Sequence, residues 1–224
     1  MELDTASSSD ALLMSIFCHP SVFDGERLMS DVAALLGVDA GSLPCFGVRP
    51  GVPLRDRPSA RARKKELVDR TEIDLTLGDL FCEAKLTEND FQTAAPALVK
   101  QYRDLEAVFD LDRLPCRVIE PPPLPPNVDP DDPTVNLPRR VARPCVAGYQ
   151  LIRNVLAAYA ADTSFCLLVD ARRGDLIEQW FTVLSAVKAL TFASRLKMLT
   201  WQELAAVLPR DLKSFLAQKY GIEA

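Results

Sequence analysis

Residues 71–85, TEIDLTLGDLFCEAK, constrain the fold more than any other stretch, because two alternating runs flank a Gly-Asp pair. Apolar and polar side chains alternate over 71–77 and again over 80–86, the period of a half-buried strand. Gly78 and Asp79 have the chemistry of a two-residue type II′ loop, which wants glycine first. With that loop Leu77 faces Leu80, Asp74 faces Glu83 and Glu72 faces Lys85. Alternation then gathers Glu72, Asp74, Glu83 and Lys85 on one face, and Ile73, Leu75, Cys82 and Ala84 on the other. Opposed residues in a hairpin have Cβ atoms about 4.5–5.5 Å apart, where like charges destabilise one another. Facing carboxylates therefore call for a cation, and a hard divalent ion such as Mg²⁺ takes such oxygens while keeping several waters. The plainer alternative is a solvated hairpin face with a Glu72–Lys85 ion pair. Two features weigh against it: the opposite face is apolar, and Phe81 shares the charged face.

The stretch resembles the core of the PD-(D/E)XK nuclease superfamily, where an acidic residue ends one strand and an E-x-K triplet lies on the next. Asp74 matches the motif's Asp, Glu83 its second acid and Lys85 its lysine. EAKLTENDF at 83–91, with YQLIRN at 149–154, is similar to a bacterial branch of that superfamily. One departure is visible: Ile73 stands where the motif's proline would be. The resemblance implies a restriction-endonuclease-like α/β fold, a mixed central sheet with helices on both faces, and Mg²⁺- or Mn²⁺-dependent hydrolysis of phosphodiesters. DNA is the expected partner, with RNA left open. Asp74, Glu83 and the backbone carbonyl of Ala84 would hold the metal, with Glu72 as a further ligand and Glu26 as the glutamate of the first core helix. Lys85 would orient the attacking water. Gln150 would orient a ligand or water, and Arg153 would hold a phosphate. Many nucleases of this fold dimerise, so a homodimer is a further expectation. Two other readings stay open: a nucleic-acid-binding or assembly module with weak or no catalysis, and a protein-interaction domain that works through a proline-rich loop.

Composition narrows the classes. At 224 residues with 48% apolar content, the chain is expected to form one domain with a sizeable core. No run approaches the roughly 20 apolar residues of a membrane span, and 11–17 is too short, and too bare of basic flanks, for a signal peptide. The six cysteines lack any C-x-x-C spacing, which suggests reduced thiols in a cytoplasmic protein. His19 is the only histidine, which leaves no Ser-His-Asp arrangement to propose. A net charge of −5 argues against a general nucleic-acid binder. Between 49 and 70, however, eight basic residues outnumber three acidic ones. Arg61, Arg63, Lys64, Lys65 and Arg70 in this stretch are expected to approach a phosphate backbone.

Helices are expected at 10–18, capped by Asp10, and at 24–36, stopped by Gly37, so that residues 1–40 form an N-terminal helical part. Another is expected over 91–109. Residues 115–144 hold ten of the 17 prolines and read as an extended insertion without packed helix or strand, with Arg139, Arg140 and Arg143 near its end. A helix over 148–161 carries Gln150, Arg153 and Asn154 on one polar face. FCLLVDA at 165–171 reads as a strand buried on both faces. A helix at 175–189 is expected to pack Trp180, Phe181 and Leu184 inward. An outer strand follows at 195–199, then a helix opened by the Thr200–Glu203 capping box and a last helix after Pro209.

Overall fold

The structure is a computed structural model that describes residues 8–55, 67–121 and 142–223. The sequence-level candidates Arg61, Arg63, Lys64, Lys65, Arg139 and Arg140 lie outside the described residues.

Alternating apolar runs produce the expected hairpin, β4 (Ile73–Leu77) and β5 (Leu80–Lys85), in the expected register: Leu77 pairs with Leu80 and Leu75 with Cys82. Gly78 turns the chain at φ +56. A Cβ there would stand 2.7 Å from Ser42 Oγ, so the loop needs glycine both for its backbone and for space. The hairpin sits in a five-stranded sheet with β1 (Pro44–Val48), β9 (Ser164–Val169) and β10 (Leu196–Thr200), in the order β1-β4-β5-β9-β10. The pairs β1–β4 and β4–β5 are antiparallel, whereas β5–β9 and β9–β10 are parallel. The sheet is therefore mixed.

Both faces are covered. On one, Phe165, Leu167 and Val169 of β9 pack with α5 (Tyr149–Ala160) and α6 (Gly174–Ser185), through Ile152, Val155, Trp180 and Val183. On the other, Cys166 and Leu168 join Leu75, Leu77, Leu80 and Cys82 under α1 (Ser9–Phe17), α2 (Ser30–Leu36), α8 (Trp201–Val207) and α9 (Arg210–Tyr220). This is the α/β architecture expected, and every residue of β5 is buried as a central strand requires. Two smaller sheets flank it: β2 (Gly51–Pro53) with β3 (Val68–Arg70), and β6 (Thr93–Ala94), β8 (Arg143–Ala147) and β7 (Cys116–Ile119) in that order.

Several boundaries differ from expectation. Ser8, not Asp10, caps α1, its hydroxyl accepting the Ala11 N–H at 3.2 Å. α2 begins only at Ser30, because Asp24 closes a turn by accepting the N–H groups of Glu26 and Arg27. The helix expected over 91–109 is two short pieces, α3 (Pro96–Val99) and α4 (Leu105–Val108). Between them Tyr102 bridges to Leu54 and buries its ring, and tertiary contact overrides the local period. The ends of the proline-rich stretch pair as β7 and β8, from Cys116↔Val146 to Ile119↔Arg143. Pro144 is tolerated there because β6 pairs only with Val146 and Ala147, so the missing N–H breaks no ladder on that side. Phe181 is 52% exposed instead of packed inward, while Trp180 beside it is buried. Three of the six thiols (Cys82, Cys145, Cys166) are buried and all six are free. Among the described residues no helix is long and apolar enough to cross a membrane.

Candidate functional site

The site forms where β5 ends between α5 and α1. Glu83 and Lys85 project toward α5. Glu83 is fully buried and accepts three donors: Gln150 Nε2 at 2.6 Å, Asn154 Nδ2 at 2.7 Å and Lys85 Nζ at 2.7 Å. Asn154 in turn accepts the Thr71 hydroxyl through Oδ1 at 2.7 Å, which fixes its amide orientation. All groups touching Glu83 are donors, the polarity of an acceptor-only carboxylate. Burial nevertheless raises its pKa, against the opposing pull of Lys85 and Asn154. On Lys85, burial disfavours the charge, but Glu83's negative charge and hydrogen bond outweigh it and raise the pKa, so the ammonium persists.

α5 delivers its two amides because its start is held. The N–H groups of Tyr149 and Gln150, which have no partner inside a helix's first turn, donate to the carbonyls of Gln92 and Phe91 at 3.1 and 2.9 Å. The Phe91 ring lies 5.8 Å from the Lys85 ammonium. Across the sheet, the Trp201 indole donates to the Lys85 carbonyl at 2.8 Å and anchors the strand end.

Asp74 reaches this centre from β4 in a way the alternation pattern does not anticipate. The ladder with β5 ends at Leu75↔Cys82, and Asp74 Oδ2 then accepts the Ala84 N–H at 2.8 Å. Ile73 packs in the α5-side cluster with Phe81, while Leu75 packs in the opposite one. The expected grouping of Ile73 with Leu75, Cys82 and Ala84 therefore fails, since the strand twists away where the side chain replaces the ladder bond. Asp74 opens instead on a cleft of about 260 Å³ with Asp10, Met14, Phe46, Gly47 and Glu72. Its pKa is raised to about 8, first by burial and then by the charge of Glu83, with Ala84's hydrogen bond and Lys85 opposing.

The other candidates scatter. Glu72 lines the Asp74 cleft but pairs with Arg49, at 2.5 Å, and not with Lys85. Glu26 lies in an exposed turn before α2 and on no helix. Gln150 is on the centre as expected. Arg153 is turned elsewhere: its Nη1 lies 3.8 Å from Asp69 and its guanidinium sits over the Tyr149 ring. Arg70 is exposed on β3, and Arg143 on β8.

Sequence reasoning passed over three members. Asn154 was visible only as the third polar residue of a helix face. Glu88, inside the EAKLTE stretch, accepts Leu86 N–H at 2.6 Å and Ser9 Oγ at 2.5 Å, tying α1 to the end of β5. Asp10 reads as a helix cap in sequence, yet its charge reaches Asp74.

No curated protein and no solved structure matches the sequence. One family does, along residues 1–221. The match runs through both faces of the sheet and the Glu83–Lys85 centre, and the chain thus belongs to the family described as Restriction Endonuclease associating with ARP.

Proposed function

We propose that the chain hydrolyses phosphodiester bonds of nucleic acid, DNA first, at a PD-(D/E)XK-type centre in which Asp74 and Glu83 hold Mg²⁺ or Mn²⁺. The observation that carries this reading is Asp74, a largely buried carboxylate pushed up to about 8 by burial and by Glu83. A divalent cation is the partner that would restore its charge at neutral pH. The donor chemistry fits: the carboxylates of Asp74 and Glu83 and the carbonyl of Ala84 are hard oxygen ligands, suited to Mg²⁺. Among the described residues no group of three or more His, Cys, Asp or Glu gathers as a ligand cluster. An ion held by few protein ligands and several waters is the usual manner of Mg²⁺ at phosphates.

When bound, such an ion supplies Lewis acidity and lowers the pKa of a coordinated water. The protein's own part is positional. Gln150 and Asn154 lock Glu83 in one rotamer, and Glu83 holds the Lys85 ammonium 2.7 Å away. Lys85, kept charged, is suited to stabilise negative charge developing on a phosphate and to orient water, not to act as a base. Arg61, Arg63, Lys64, Lys65, Arg70 and Arg153 are the proposed nucleic-acid contacts.

Incubating the protein with linear, circular and single-stranded DNA and with RNA, in Mg²⁺, Mn²⁺ or chelator, tests the reading. Cleavage is expected with metal only, and at background for Asp74→Asn and Glu83→Gln. An Asp74→Asn protein that cuts like the parent would overturn it. The family's description names association with ARP, which favours a second reading as an assembly module. Metal-dependent binding of nucleic acid without product on any substrate would support that one.

A further inference from the structure

Beside the centre lies a second cleft, of about 250 Å³, lined by Asp69, Tyr102, Tyr149 and Arg153 with Val68 and Leu98 at its rim. We propose that it is a pocket for one unstacked nucleobase of a single strand; the proposal rests on the nuclease reading and gives it a substrate contact.

The polar groups are arranged for a base edge and not for a phosphate. The Tyr102 hydroxyl donates to Asp69 Oδ2 at 2.6 Å and lies 2.7 Å from the Tyr149 hydroxyl, so the carboxylate is fixed in place. Arg153 lies with its guanidinium carbon 5.2 Å from the Tyr149 ring centroid, and its Nη1 stops 3.8 Å from Asp69, too far for a hydrogen bond. Its Nε is buried without a partner, an unmet donor inside the protein. Acceptor and donor therefore line one cleft as a loose ion pair without a direct hydrogen bond between them. A phosphate would meet Asp69's charge. A base offers an amino or ring N–H to the carboxylate and a carbonyl or ring nitrogen to the guanidinium, side by side. Val68 and Leu98, 40% and 42% exposed, give the base faces apolar walls, while the buried tyrosines hold Asp69 and Arg153 in place from behind.

Position agrees with chemistry. Asp69 precedes Asp74 by five residues, so the pocket lies within roughly 17 Å of the carboxylates along extended chain. Thr71, between them, is bonded to Asn154. Arg153 and Asn154 are consecutive on α5, one turned to the pocket and the other to Glu83.

The test is binding of a labelled single-stranded 12-mer, in chelator so that nothing is cut, against the same strand with its central nucleotides made abasic. The parent is expected to bind the intact strand about tenfold tighter or more. Arg153→Met is expected to remove that difference, weakening binding of the intact strand far more than binding of the abasic one. Asp69→Asn, nearly isosteric and so the safeguard against misfolding, is expected to change which homopolymer binds best. Equal affinity of the parent for both strands overturns the pocket, as does an Arg153→Met loss that is the same on both, which marks a phosphate contact. The two readings fail separately: base discrimination with no Mg²⁺-dependent cleavage removes the nuclease, and cleavage with no discrimination removes the pocket.

Discussion

Asp74 is the residue whose chemistry can be read most directly in solution. Its folded pKa, about 8, lies well above the ordinary aspartate value of 3.8. The folded metal-free protein therefore holds a proton that the unfolded chain has released across pH 4 to 8. Its stabilising contribution is complete below about pH 4 and is lost as pH rises through 8, with a slope of up to about 1.4 kcal/mol per pH unit. Asp74→Asn is expected to flatten that slope in chemical denaturation and to stabilise the metal-free fold at pH 8. Metal must displace the same proton, so cleavage is expected to climb with pH until about 8 and then level, and Mg²⁺ is expected to steepen protection at pH 7. Glu83 and Lys85 behave differently, because both are buried and each satisfies the other. Removing one partner strands the other's charge, at a cost of roughly 3–5 kcal/mol. Lys85→Ala is thus expected to lower the denaturation midpoint strongly as well as abolish cleavage. Glu83→Gln keeps the shape but leaves the Lys85 ammonium without its counter-charge, so Asp74→Asn is the cleaner test of catalysis.

At the scale of elements, α5 and the hairpin β4–β5 carry the site, and they were legible to different depths. The hairpin's register follows from Gly78-Asp79 and the alternation, both local, and the structure has it. The place where the ladder opens was not legible, because Asp74's capture of the Ala84 N–H competes with a main-chain bond only once β1 and α1 pack alongside. For α5 the apolar stripe gave the helix, but not which polar residue meets Glu83. Gln150 and Arg153 are three apart and neighbours on the helix surface, yet only Gln150 and Asn154 reach the carboxylate. The start of α5 depends on Gly148 at φ +67, where a Cβ would stand 2.8 Å from Val183 Cγ2. Gly148→Ala is expected to cost roughly 2 kcal/mol and to shift Gln150, seen as a lowered denaturation midpoint with weaker metal-dependent activity. Two strands from Lys85 and level with it, Thr200→Ala removes a capping box and is expected to cost about 1 kcal/mol, read as a lowered denaturation midpoint.

For the molecule as a whole, charge distribution outweighs total charge. An acidic chain can hold a phosphate backbone if the stretch 49–70, with its excess of basic residues, lies beside the centre. β3 ends at Arg70, four residues before Asp74, which brings the described part of that stretch to the site. Replacing Arg70 with Gln is expected to weaken binding of all sequences alike and to reduce the salt slope of log Kd by about one. By itself the sequence determined the hairpin, the two parallel strands β9 and β10, most helices, the mixed α/β order and the acid–lysine pair on one hairpin, because periodicity, turn chemistry and caps act within a few residues. Only the tertiary structure decided that Tyr102 would split a helix, that Glu72 would pair with Arg49, that Arg153 would turn to Asp69, and that Asn154, Glu88 and Asp10 would stand near the centre. Those outcomes depend on which distant groups compete for one buried donor or acceptor, and that competition exists only once the sheet and its covering helices have closed over it.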